Sequence, residues 1–222
     1  YYESYGLEAW QSGTVPHYLT SNPIMGKTYA ELILNLIKDL SINGQTKETV
    51  YILELGSGHG RLAYHFLKHF EKYYENSALP PPPICYVLSD FTESNIKFWK
   101  THPRFQPYIE KGWIDFTQFN AESDKEIKLR HSGKLITKES LDQPIVVIAN
   151  YLFDTIPQDM FRIQNGQIKN VLLSISSASE IEKISPDQLI ESLQFKYSYE
   201  KTKNPIYPEE QLLNNLLDFY KE

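Results

Sequence analysis

A single cysteine, Cys85, is the whole thiol content of the chain, so an internal disulfide and a cysteine-rich metal site are both excluded. Its neighbours Ile84, Tyr86 and Val87 suit a buried strand thiol with no basic group beside it to stabilise a thiolate. Long apolar runs are lacking too. None approaches the roughly 18 residues needed to cross a bilayer, so no membrane association is expected. Positive charge is scarce, with 22 Lys and Arg against 28 Asp and Glu and a net charge of −6. That balance gives no electrostatic support to a general nucleic-acid binder. No basic-plus-apolar leader precedes the core, and the chain opens on Tyr1. It reads as a fragment of a longer protein from the cytoplasm or another reducing compartment. The mitochondrial matrix would require a signal in a missing N-terminus.

Some catalytic signatures are missing as well. His65 and His69 stand four apart on a helical stretch, but Phe66 replaces the glutamate of H-E-x-x-H, so no metal is expected. Ser57 lies in G-S-G-H-G, not in the G-x-S-x-G of a nucleophile elbow. No internal repeat appears.

What is present is an ordinary globular composition, 41% hydrophobic and 23% charged over 222 residues, enough for one sizeable domain with an appendage. Ser21-Asn22-Pro23 is a helix start, followed by Tyr29, Ile33, Leu36, Ile37 and Leu40 at helical spacing. Thr49–Leu55 is β-rich and ends at glycines; Leu62, Ala63, Phe66, Leu67 and Phe70 then share a helical face. Consecutive prolines before Ile84 predict an extended connector. Ile84–Leu88, Trp113–Phe116 and Ile145–Ala149 read as further strands, with a helix over Thr92–Lys100. Strands alternating with helices predict a doubly wound, mostly parallel α/β sheet of Rossmann-like type, with ligands beyond the carboxyl ends of its strands. Asn165-Gly166 between two β-rich runs predicts a hairpin added to that unit. A polar loop and an amphipathic C-terminal helix follow, the helix needing a partner surface. The expected organisation is an N-terminal helical segment over 1–45, a core over 46–160, and an accessory segment over 161–222 that is incomplete.

The loop Glu54-Leu55-Gly56-Ser57-Gly58-His59-Gly60 closes the first strand, and its glycines allow sharp turns and close approach to a ligand. A dinucleotide fingerprint needs glycine where Arg61 stands, and the Gly-Lys-Ser/Thr ending of a phosphate loop is absent. Glu54 would repel a phosphate but attract the ammonium and sulfonium of S-adenosylmethionine (SAM). The Coulomb term is roughly 4 kcal/mol at about 4 Å and an effective dielectric near 20. Asp90 at the end of the second strand is placed to accept from ribose hydroxyls, and Phe91 to cover adenine. Asn120 and Ala121 follow the third strand, where an amide can read the adenine edge. Asn150, Tyr151 and Asp154 follow the fourth, near the transferable methyl. Local roles compete: Glu54 as a turn cap, Asp154 as a helix cap, Asn120 as a plain loop residue.

With ELGSGHG, VLSD, FNAE and IANYLFD in order on successive strands, the chain resembles the class I SAM-dependent methyltransferases. Within them it looks most like the MidA-like family, which includes the mitochondrial methyltransferase needed for complex I assembly. HYLTSNPIMGKTYAEL, the glycine loop, ANYLFDTIP and the following hairpin carry the likeness, from about Tyr2 to Ile175. The resemblance implies SAM as cofactor and a protein substrate, arginine in the members known as enzymes. Asn150, Asp154 and Pro157 fit the family's A-N-E-x-x-D-A-x-P pattern, whereas Tyr151 replaces its glutamate and His17 an acidic residue. A carboxylate orients a guanidinium in a way a tyrosine hydroxyl does not, so the acceptor stays open among arginine and other side chains.

The expected reaction is in-line methyl transfer, with Asp154 holding or deprotonating the acceptor, Asn150 lining the methyl site, and Tyr18 or Tyr151 shaping the pocket. Two alternatives stand beside it. One is a SAM-binding assembly or interaction protein without catalysis; the other is an NAD-dependent oxidoreductase, which Arg61 and Glu54 oppose. Oligomeric state is not legible.

Overall fold

The computed structural model describes residues 17–44, 48–76, 84–141, 144–177, 185–203 and 205–221, together with Tyr5 and Glu8. The chain divides into two compact units, Tyr1–Ile156 and Pro157–Glu222. The expected proline connector lies, from position 77 onward, outside the described residues.

In unit one, a 3-10 turn at His17–Leu19 precedes helix α1, Pro23–Ile42. The side chain of Asn22 accepts from the Met25 N–H at 3.0 Å, a cap that satisfies one of the orphan donors of the first turn. Strand β1 (Val50–Glu54) leads through the glycine loop to α2 (Arg61–Glu75). Strand β2 (Ile84–Asp90) is followed by α3 (Glu93–Thr101), α4 (Gln106–Glu110) and β3 (Ile114–Gln118). The two-residue strands β4 (Ile127–Lys128) and β5 (Leu135–Ile136) pair antiparallel before β6 (Val146–Ile148).

The main sheet runs β3-β2-β1-β6, and every neighbouring pair is parallel. This is the expected Rossmann-like α/β fold: four parallel strands flanked by helices. Both faces of β1 are covered. Val50 and Ile52 join the large core with Ala30, Ile37, Phe66, Phe70 and Tyr86, while Tyr51 and Leu53 join a smaller one with Cys85, Val87 and Ile136. Burial pushes the Cys85 thiol up to about 12, helped by the Asp115 charge, as suits an inert core sulfur. Helices α1 and α2 cross closely at Gly26, where an added Cβ would stand 2.5 Å from the His65 Cβ. Among the described residues no helix is long and apolar enough to cross a membrane.

Unit two is a separate antiparallel sheet, β7 (Phe161–Gln164), β8 (Gln167–Ser177) and β9 (Leu193–Lys201), in that order. Asn165 and Gly166 form the expected two-residue turn with φ of 52° and 68°, the left-handed pair a type I′ hairpin requires. Strand β9 was not expected, since its segment reads as a polar loop. Its Phe195, Tyr197 and Tyr199 alternate with polar residues and pair with Ile175, Leu173 and Val171 of β8. A short helix α5 (Pro186–Ser192), capped by Ser185, precedes it, and α6 (Gln211–Phe219) is the expected C-terminal helix, carrying no buried residue.

Candidate functional site

The strand order reverses between β1 and β6, and at the carboxyl ends of the strands a cleft of about 330 Å³ opens. Leu55 and Gly56 contribute from β1, Asp90 and Phe91 from β2, Phe119 to Glu122 from beyond β3, and Tyr151, Leu152, Thr155 and Ile156 from beyond β6. The structure therefore brings together Gly56, Asp90, Phe91, Asn120, Ala121 and Tyr151 of the expected residues.

The rest of the glycine loop is scaffolding beneath the cleft. Ser57 N–H donates to the Ser89 carbonyl (2.8 Å), Ser57 Oγ to the Glu54 carbonyl (3.1 Å), and Trp99 Nε1 to the Gly58 carbonyl (3.0 Å). Gly60 has φ 75°, and a Cβ there would meet Leu88 Cδ2 and Phe105 Cζ at 3.0 Å. Gly56, at φ 66°, is the loop glycine that reaches the cleft. Ser57, Gly58 and Gly60 thus fix the loop and do not line the cavity.

Glu54 departs from expectation. Its side chain shares the face of Val50 and Ile52, is 5% exposed, and accepts a hydrogen bond from Tyr86 Oη at 3.0 Å. Burial raises its carboxyl to about 8, the Asp90 charge adds to the rise, and hydrogen bonding from Tyr86 and Ser57 opposes it. At neutral pH it is mostly the uncharged acid, and it lies outside the cleft lining. The carboxylates that do line the cleft are Asp90 and Glu122, and Glu122 is not among the residues the sequence singled out. Among the described residues lining the cleft there is no Lys, Arg or His.

Asp90 is 6% exposed and fully engaged. Oδ1 accepts from Thr92 N–H (2.9 Å) and Thr92 Oγ1 (2.8 Å), and Oδ2 from Gly58 N–H (3.2 Å) and Asn95 Nδ2 (2.9 Å). The expected ribose acceptor therefore also ties the glycine loop to the start of α3. Asn120 Oδ1 accepts from Glu122 N–H at 3.0 Å, the local loop role that competed with adenine recognition.

The residues beyond β6 separate. Tyr151 borders the cleft, half exposed, with φ 54°, a left-handed conformation unusual for a bulky residue. Asn150 points elsewhere: Tyr29 Oη of α1 donates to its Oδ1 at 2.9 Å, and its Nδ2 donates to the Thr20 carbonyl at 3.4 Å. Asp154 is exposed and outside the lining, as is Tyr18, and Thr155 stands nearer the cavity than Asp154 does. In the sequence Tyr29 reads only as part of a helical face. Its hydroxyl, the polar handle on an otherwise packed ring, was the available signal.

No family model matches the chain, and no curated protein matches it. Among solved structures, an uncharacterized ACR superfamily protein from Burkholderia thailandensis is similar at 14% identity and a TM-score of 0.43, over 86% of this chain and 40% of that one. The chain thus spans less than half the length of that protein.

A second, wider groove of about 610 Å³ shares Phe91 and Asn120 with the cleft and adds Gln118, Asp124, Lys128 and Arg130. It lies beyond β3, not at the point of strand reversal. Its Arg130 is already held by Gln118 at 2.9 Å and Glu93 at 3.5 Å.

Proposed function

We propose that the cleft binds SAM and that the chain is a SAM-dependent methyltransferase acting on a protein side chain. The observation that carries this reading is a cavity at the strand reversal of a parallel sheet, lined by two carboxylates, Asp90 and Glu122, and by no Lys, Arg or His among the described residues. Such a lining attracts a cation and repels the pyrophosphate of a dinucleotide. Its volume falls within the range of small-molecule sites.

SAM supplies an electrophilic methyl carbon on a sulfonium. Asp90 and Phe91 are suited to hold the ribose and cover the adenine, with Asn120 and Ala121 at the base edge. Tyr151 and Thr155, on the β6 side, shape the approach of the acceptor. Alignment of donor and acceptor supplies much of the rate, roughly 7 to 11 kcal/mol where it is good. Asp154, outside the cavity lining, is a weaker candidate for the acceptor base than the sequence suggested.

A second reading keeps SAM and drops catalysis, leaving an assembly or interaction protein. It is favoured by two observations: no carboxylate from the segment 150–156 lines the cleft, and Tyr151 stands where the resembled family has glutamate. Competitive titration with SAM, S-adenosylhomocysteine (SAH) and NADH tests the ligand, and label transfer from SAM into a lysate tests the reaction. Binding of SAM and SAH without NADH, followed by transfer, is the expected result. Binding without transfer favours the second reading, and preference for NADH overturns both.

A further inference from the structure

Helix α2 turns Leu62, Ala63, Phe66, Leu67 and Phe70 into the large core. Its opposite face carries a line of basic side chains. Arg61, His65, Lys68 and Lys72 stand at i, i+4, i+7 and i+11, with His69 beside them, a spacing that puts all five on one side of the helix. Arg61, Lys68 and Lys72 are exposed and the two imidazoles half-buried. Neighbouring elements add to the same face. The close crossing at Gly26 brings Lys27 of α1 beside His69, and Arg104, between α3 and α4, lies 5.2 Å from the Tyr64 ring. Among the described residues no carboxylate pairs with Arg61, Lys68, Lys72 or Arg104.

The two histidines report the resulting field. Partial burial lowers the His65 imidazole, and the charges of Arg61, His69, Lys68 and Arg104 lower it further. His69 is lowered by burial and then by Lys27, Lys68 and Lys72, with Glu31 alone opposing. Both are therefore uncharged at pH 7 and stand as N–H donors between fixed cations. In a chain of net charge −6 this positive stripe is local, and it is also narrow. Glu31 limits it on the α1 side, where Tyr73 Oη donates to it at 2.7 Å. Glu71 limits it on the α4 side, held by Lys111 and by Tyr108 Oη at 3.2 Å.

From this we infer that the outer face of α2 docks an acidic segment of a partner protein. At about 1.5 Å per residue the stripe from Arg61 to Lys72 is about 16 Å long. An extended segment of about five residues matches that length at roughly 3.3 Å each. A single file of carboxylates fits between Glu31 and Glu71 and accepts from the guanidinium, ammonium and imidazole donors along the stripe. A bilayer or a duplex spreads its negative charge over a broad surface, and would press it onto those glutamates and onto the acidic remainder of the chain. Single-stranded RNA needs aromatic faces for its bases, and the ring beside the stripe, Tyr64, is already covered by Arg104. No residue of the stripe lines the cleft, so the inference does not rest on the SAM reading.

The test is fluorescence anisotropy of the whole chain with a labelled octaglutamate peptide at about 0.15 M salt, where the Debye length is about 8 Å and only close charge contacts survive. Octaglutamine with the same label is the neutral control. Octaglutamate should bind saturably and octaglutamine should not. Lys68→Glu combined with Lys72→Glu should weaken octaglutamate at least tenfold. Lys125→Glu combined with Lys196→Glu changes the net charge equally at exposed positions off α2, and should leave the affinity within twofold. Lys68→Gln with Lys72→Gln replaces the reversal, with a loss of at least fivefold expected, if the reversed chain lacks a cooperative thermal transition. Three results each overturn the inference: no saturable binding of octaglutamate, equal losses from the two charge-reversal pairs, or binding of oligouridylate or phosphatidylserine vesicles as tight as that of octaglutamate or tighter. SAH titration of the same variants should stay within twofold of wild type, which keeps a failure here distinct from a failure of the cleft assignment.

Discussion

Glu54 carries the sharpest consequence at the scale of single residues. Its folded carboxyl, near 8, lies above the ordinary value of 4.5, so the folded protein keeps a proton that the unfolded chain gives up. Stability from this group is complete below pH 4.5 and is lost as pH rises toward 8. At about 1.4 kcal/mol per pH unit the loss is on the order of 5 kcal/mol. Glu54→Gln, whose amide oxygen still accepts from Tyr86, should flatten urea-unfolding stability between pH 5 and pH 8, at the ends of roughly that window. An unchanged slope would mean another group is responsible. The same variant should bind SAH within about threefold of wild type, because the side chain does not line the cleft; a hundredfold loss, near 2.7 kcal/mol, would restore it as a ligand contact. The sequence showed an acid beside a glycine loop. Which face of the strand it occupied, and hence whether it was charged, depended on the helices packed there.

Between elements, the α1–α2 crossing depends on the absent side chain of Gly26. Gly26→Ala gains helix propensity but forces the two backbones apart, and overpacking of this kind costs about 1–3 kcal/mol. A lower thermal midpoint is expected, and an unchanged or higher one would show that the crossing relaxes without strain. Tyr29, one turn further along α1, holds Asn150. Tyr29→Phe should cost about 1 kcal/mol of stability and, if transfer is observed, lower its rate more than SAH affinity, because it acts on the acceptor-side loop. Equal effects on both would mean that Asn150 serves the cofactor side. The start of α1 was legible from Asn22 and Pro23, since capping is a matter of neighbouring residues. Contacts such as Gly26 with His65 and Tyr29 with Asn150 join residues far apart in sequence, and no local pattern marks them. Strand β9 was legible in principle from the alternation of Phe195, Tyr197 and Tyr199, yet its charged and polar residues masked that period.

For the whole molecule, every described residue lining the cleft belongs to the unit Tyr1–Ile156. A fragment of residues 1–156 should therefore fold cooperatively and bind SAH within about threefold of the full chain, as circular dichroism and calorimetry would show. A tenfold or greater loss would make residues 157–222 part of the binding unit. By itself the sequence determined the alternation of strands and helices, the glycine loop, the Asn-Gly hairpin and the cap of α1. All of these follow from side-chain periodicity and from backbone angles set by immediate neighbours. Only the tertiary structure decided that Glu54 turns inward, that Asp90 is saturated, that Asn150 is tied to α1 and that Asn95 borders the cavity. Those outcomes depend on which surfaces meet across long stretches of chain, where burial and hydrogen-bond partners are assigned by packing.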